Sequence, residues 1–105
     1  MERRARGSEK LETFHQRFFF ERPNRPPLAH ESWTKNAKGE IVKYSLAYID
    51  FNRYAGDNGR VLGYDNTHGY HERHFMGRCE QVEFTTYAEQ FDRFIAEIRQ
   101  LRSRP

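Results

Sequence analysis

Glu40–Phe51, EIVKYSLAYIDF, with Asn52–Gly59, NRYAGDNG, and Arg60–Asp65, RVLGYD, is the stretch whose reading decides the fold. In the first segment Val42, Tyr44, Leu46 and Tyr48 recur at every second position. That spacing puts side chains on one face of a strand. Ile41, Lys43, Ser45, Ala47 and Ile49 fill the other face, a mixture that suits partial contact with water. The middle segment is dense in Asn, Asp and Gly, which close turns, so the chain reverses there. The third segment returns as a second strand, in which Gly63 marks a bulge or a close backbone approach. A short loop between successive strands means antiparallel pairing.

Toward the C-terminus, Glu80–Phe84 reads as a further short strand with Val82 and Phe84 pointing one way. Thr86 followed three residues later by Glu89 is a capping-box signature for a helix N-terminus. Tyr87, Phe91, Phe94, Ile95, Ile98 and Leu101 then form one wide apolar stripe, which predicts an amphipathic helix from Tyr87 to Arg102 lying on the sheet. Arg99, Arg102 and Arg104 suit its C-terminal end through the helix dipole. Toward the N-terminus, Asn36–Gly39 (NAKG) is a turn, and Leu28–Trp33 carries no assignable pattern. Pro23, Pro26 and Pro27 forbid regular structure before it. Leu11–Glu21 fits a helix or a strand, and its aromatic density and the prolines after it favour a strand-like arm. Residues 1–10 are expected to be a flexible basic tail. The expected fold is α+β: a small antiparallel sheet with a C-terminal amphipathic helix packed on one face, a single domain spanning residues 11–105.

A chain of 105 residues has room for one core, since a globule of this size hides roughly 65% of its unfolded surface. Nine Phe, six Tyr and one Trp supply the buried area that a 36% apolar composition would otherwise lack. The formal charge of +3, with arginines gathered at Arg3, Arg4, Arg6 and at Arg99, Arg102, Arg104, is compatible with an anionic partner such as RNA. The single cysteine, Cys79, suits a reducing compartment. No apolar segment follows the charged N-terminus, and no run approaches a membrane span. A cytoplasmic protein without membrane contact is expected, and its aromatic strand faces are a candidate homodimer surface.

The candidate chemistry gathers in Gly63–Gly77, GYDNTHGYHERHFMG, which holds His68, His71 and His74 with Asp65, Asn66, Glu72 and Arg73 beside them. On a flat strand His68 and His74 would share a face and His71 would oppose them, whereas a turn at Asn66–Gly69 would break that parity. Four readings compete. The histidines are solvated or structurally bonded; they hold a transition metal with Asp65, Glu72 or Cys79; they bind RNA or a partner without chemistry; or they form an acid/base pair. Histidine titrates near neutrality, so one neutral imidazole can take a proton while a protonated one gives one up. Cleavage of RNA suits such a pair, because the 2′-hydroxyl supplies the nucleophile and no metal is required. His71 and His74 are the leading pair, with His68 a third candidate and Asp65 orienting one of them. Arg73 and Arg78 are candidates for phosphate contact, and Tyr64, Tyr70 and Asn66 for substrate contact. No HExxH or paired CxxC framework is present, so no metal or cofactor is assigned. His15 and His30 stand alone in sequence and are left out.

Val61–Gly77 resembles the TumE family of toxin–antitoxin proteins, through Tyr64, Asp65, Asn66, His68, Gly69, His71 and His74: a YDN step followed closely by spaced histidines. The resemblance implies a small α+β toxin that acts beside a cognate antitoxin, with RNA as its expected target. The N-terminal arm and its proline segment have no counterpart in it. Outside that reading stand a non-catalytic RNA- or partner-binding module and a histidine-rich metal-binding domain.

Overall fold

The computed structural model describes residues 10–104. The tail expected over residues 1–10 therefore falls, apart from Lys10, outside the described residues, as do Arg3, Arg4 and Arg6. Six strands follow one another: β1 (Glu12–Phe19), β2 (Leu28–Lys35), β3 (Ile41–Ile49), β4 (Arg60–Asp65), β5 (Glu72–Phe75) and β6 (Arg78–Gln81). They form one antiparallel meander, each strand beside its neighbour in sequence. The helix α1 (Tyr87–Arg102) closes the chain and packs on β3 and β4. The α+β architecture is the expected one.

Period-two patterning accounts for the layers. Tyr44, Leu46 and Tyr48 of β3 and Leu62 and Tyr64 of β4 are fully buried, with Phe94 and Ile98 of α1. Thr86 caps the helix, its hydroxyl accepting from the Glu89 N–H at 3.1 Å. Polar side chains pin the helix along its length. Tyr87 donates to the buried Glu31 carboxylate at 2.6 Å, Tyr64 donates to Glu97 at 2.5 Å, and Arg102 donates to the Tyr48 hydroxyl at 3.1 Å. Burial first, and then their carboxylate acceptors, push the Tyr64 and Tyr87 phenols well above the usual range, so both remain donors.

The strand-by-strand reading needs correction at Val42 and at Glu80–Phe84, and Gly63 and Leu28–Trp33, left open by the sequence, are settled. Val42 does not share the buried face: the β2–β3 register slips between Thr34 and Lys35, Val42 bulges out, and it is 48% exposed. The bulge on β4 falls at Val61, where the register steps from Leu62 to Arg60. Gly63 is the close approach of its two expected alternatives, because a Cβ there would sit 2.9 Å from Arg60 Cδ and 3.1 Å from the Leu46 carbonyl. Leu28–Trp33 is a strand whose inward positions include Glu31, which removes the apolar alternation that reveals a strand. The strand placed at Glu80–Phe84 starts earlier and ends at Gln81, as half of a β5–β6 hairpin. Met76 and Gly77 turn that hairpin with φ of 47° and 83°.

Candidate active site

Parity along β4 and β5 decides what the histidine stretch builds. Asp65 lies opposite Glu72, and Gly63 opposite His74. These residues point away from α1, onto the sheet face that the helix leaves uncovered, whereas Tyr64 and Arg73, between them in sequence, point toward it. The turn ahead of β5 closes through the Gly69 N–H on the Asn66 carbonyl at 3.2 Å, with Gly69 at φ 86°. It carries His68 back over β5, where His68 Nδ1 lies 3.1 Å from Glu72 Oε1.

The uncovered face thus gathers two imidazoles and two carboxylates. His74 Nε2 lies 3.0 Å from Asp65 Oδ2 and 3.9 Å from Glu72 Oε1. Because both rings reach the same Glu72 oxygen, at 3.1 and 3.9 Å, their nearest nitrogens are no more than about 7 Å apart. Asp65 and Glu72 are each only 6% exposed. The hydrogen bond to Glu72, and then its charge, raise the His68 pKa, and the same bond lowers that of Glu72. Asp65 also accepts from the Thr67 N–H at 3.1 Å, which holds the turn against its carboxylate. Tyr70 is largely exposed, its ring 6.5 Å from that of His68, and the charge of Glu72 raises its phenol pKa. Arg60 lies over Gly63 with Nη1 3.8 Å from Asp65 and Nε bonded to Asp57 at 2.8 Å. Its proximity to the cluster has no local sequence signal; it follows from the β4 bulge and the bare Gly63.

His71 is not brought to this face. Its ring stacks on Phe84 at 3.9 Å and 3° beneath the start of α1, and its Nδ1 lies 2.8 Å from the Tyr44 hydroxyl. Gln90 donates to that hydroxyl at 3.0 Å, so Tyr44 in turn donates to His71 Nδ1. Burial lowers the His71 pKa, consistent with a neutral ring accepting that bond. The sheet therefore separates His71 from His68 and His74.

Of the expected substrate contacts, Tyr64 and Arg73 lie on the helix side. Arg73 pairs with Glu97 at 2.6 Å and with Glu80 at 3.3 Å, and the hydrogen bond to Glu97, with its charge, holds the Arg73 pKa high. Arg78 is exposed and lines, with Arg73, Phe75, Cys79 and Glu80, a hollow of about 350 Å³. Asn66 is structural: Oδ1 accepts from the Tyr44 N–H at 3.0 Å and Nδ2 donates to the Val42 carbonyl at 3.1 Å, bracketing the β3 bulge. Cys79 lies opposite His74, its thiol pKa raised by partial burial and by a hydrogen bond to Glu72. His15 and His30, isolated in sequence, stack at 6.0 Å on the uncovered face. Only the β1–β2 register, which the proline loop hides, reveals that pairing.

A family model described as toxin TumE matches residues 28–102. The chain belongs to the TumE family. The match spans β2 through α1 and so includes every residue of the cluster, while β1 and the proline loop precede it. No curated protein and no solved structure matches the chain. Membership makes this TumE-type chain one of a family of toxins, for which a cognate antitoxin is the expected partner. Among the described residues no helix is long and apolar enough to cross a membrane. The YDN step that carried the resemblance has a physical reading here. Tyr64 ties the sheet to α1, Asp65 faces His74, and Asn66 anchors the turn that presents His68.

Proposed function

We propose that this toxin is a metal-independent endoribonuclease that uses His68 and His74 as its acid/base pair on the uncovered sheet face. The observation that supports the reading is the gathering of two imidazoles on that face, each beside a carboxylate and both near the same Glu72 oxygen, at 3.1 and 3.9 Å. His74 takes the proton of the 2′-hydroxyl, whose oxygen attacks the adjacent phosphorus as the 5′-oxygen leaves. His68, which Glu72 favours in its protonated form, gives its proton to that leaving oxygen. Arg60, whose Nη1 lies 3.8 Å from Asp65, offers a guanidinium to the phosphoryl oxygens as charge builds on them. The products are a 2′,3′-cyclic phosphate and a free 5′-hydroxyl. His71 stands outside this scheme, held under the helix by Tyr44 and Phe84.

The test is cleavage of RNA by purified protein in excess EDTA. His68→Ala and His74→Ala should each lower the rate by about 10²–10⁴-fold, with RNA affinity and folding retained. Full activity in both variants overturns the acid/base pair. RNA binding without cleavage by the wild-type chain would instead favour the binding module, for which the cationic Arg17 and Lys43 on the same face provide a rationale.

A further inference from the structure

The face that holds the two imidazoles also contains a set of donors that acid/base chemistry does not use. Glu72 and His74 are two residues apart on β5, and Cys79 on β6 lies directly opposite His74. A carboxylate oxygen, an imidazole nitrogen and the thiol sulfur from these three residues all lie within 4.8 Å of one another. We propose that Glu72, His74 and Cys79 form a zinc-binding site, and that zinc bound there switches off RNA cleavage by occupying His74.

Two further observations point to a ligand at this place. His74 Nε2 is buried and makes no hydrogen bond: Asp65 Oδ2 is 3.0 Å away, but out of line with the ring N–H direction. A buried ring nitrogen left unbonded is costly, and a metal ion would satisfy it through the nitrogen lone pair. Asp65 and Glu72 also face each other directly across β4 and β5 while almost fully buried. Like charges in that arrangement repel, and at present Arg60, 3.8 Å from Asp65, and His68, 3.1 Å from Glu72, face them from the rim. A dication bound to Glu72 and His74 would add positive charge at the buried side of the pair.

The donor set selects the ion. One thiolate, one imidazole and one carboxylate suit a borderline-soft metal and not magnesium or calcium, which take oxygen ligands. Donors on one tetrahedral zinc, bonded at about 2.0–2.3 Å, sit roughly 3.3–3.8 Å apart. Closing up from the present spacing takes side-chain rotation, which the exposed Cys79 on its edge strand can supply. The β5–β6 hairpin holds the backbones of all three ligands in register throughout. Binding releases the Cys79 thiol proton, and the fourth position is left to Asp65 or water. A dication on one ring nitrogen lowers the basicity of the whole imidazole, so a metal-bound His74 no longer takes the 2′-hydroxyl proton, and the metal and the catalytic step exclude each other. The inhibitory half of the proposal rests on the acid/base reading; the site itself does not.

The experiment takes chelator-stripped, full-length protein and titrates it with zinc alone by calorimetry, then with cobalt(II) while following near-ultraviolet absorbance. About one ion per chain should bind, with a thiolate-to-cobalt charge-transfer band. Cys79→Ala should lose the band and at least about tenfold in zinc affinity, as should His74→Gln, with circular dichroism showing both variants folded. Zinc binding undiminished in both variants overturns the site. In RNA cleavage, stoichiometric zinc should stop the wild-type chain and EDTA should restore it, while Cys79→Ala should cleave as wild type does and resist zinc. Zinc binding that leaves cleavage unchanged, or that activates it, overturns the inhibition. If the chelated wild type cleaves no RNA although zinc binds as described, the acid/base reading and the inhibition both fail and the metal site stands.

Discussion

Among single residues, His71 and His74 have opposite surroundings, one ring packed and bonded and the other left with an unbonded buried nitrogen. They lie three positions apart, yet parity sends them to opposite faces of the sheet. His71 meets Phe84 in a parallel stack and accepts from Tyr44, so its removal strips the Tyr44 hydroxyl of its acceptor and opens space under the helix. His71→Ala should therefore cost about 1–3 kcal/mol in urea unfolding, while cleavage per folded molecule stays near wild type. A loss of more than about 100-fold in cleavage without a stability change would return His71 to the chemistry. His74 makes no such satisfied contact. Its nearest polar neighbours are charged, buried and badly aligned, which is poor packing and a reasonable arrangement for a group that must exchange a proton or a ligand.

At the scale of elements, the turn between β4 and β5 positions the cluster, and Asn66 holds it. That side chain spans the β3 bulge with one acceptor and one donor, so the loop carrying His68 is fastened to a central strand. Asn66→Ala removes both bonds and leaves the Tyr44 N–H unpaired. It should lower stability by about 1–3 kcal/mol and slow cleavage through misplacement of His68. Asn66→Asp, which keeps the acceptor and loses the donor, should fall between Ala and wild type. An unchanged urea midpoint in Asn66→Ala would show that the turn does not depend on this anchor. The same elements mark what the sequence reveals and what it conceals. β3 and α1 are legible because their apolar residues repeat at the strand and helix periods, and the Thr86 cap is written in two residues. β2 is not, because its inward Glu31 takes its hydrogen bond from Tyr87, 56 residues away. The β5–β6 hairpin is hidden by its short strands, which alternate charged groups on both faces, and by a turn that begins at Met76 with no Asn or Asp to announce it. Of the site, Asp65, His68 and His74 are evident from their density in sequence, whereas Arg60 enters through a bulge that leaves no local pattern.

On the scale of the whole molecule, the strand register lays two rows across the uncovered face. One row runs Arg17, His30, Ala47, Gly63, His74 and Cys79; the other runs His15, Ser32, Ser45, Asp65, Glu72 and Gln81. Arg17 and two histidines occupy the β1–β2 end, small and hydroxyl side chains the middle, and the cluster of His74, Asp65 and Glu72 the β4–β6 end. His30 carries a cost of this crowding: burial, then His15, then Arg17, lower its pKa from 6.5. The unfolded chain thus binds that proton more readily than the folded one, so this stability is full above the ordinary histidine range and is lost as pH falls through it. His68, with its raised pKa, pulls the other way, so the comparison must be made within a pair of proteins. His30→Gln should lose less stability than wild type between about pH 7.5 and pH 5.5, and an equal loss in both would remove His30 as the cause. The same cationic end makes a prediction about the substrate. If RNA lies along the rows toward His74, Arg17 contacts a phosphate some distance from the chemistry, and the strand that carries it lies outside the stretch shared with the family. Each phosphate contact on a single strand contributes about −0.7 to the slope of log affinity against log salt. Arg17→Ala should therefore weaken RNA binding, flatten that slope by about 0.7, and leave the single-turnover cleavage rate at saturating protein unchanged. A slope identical to wild type would place the RNA elsewhere on the molecule, whereas a lower rate at saturation would mean that β1 shapes the reactive cluster and not only the path that leads to it.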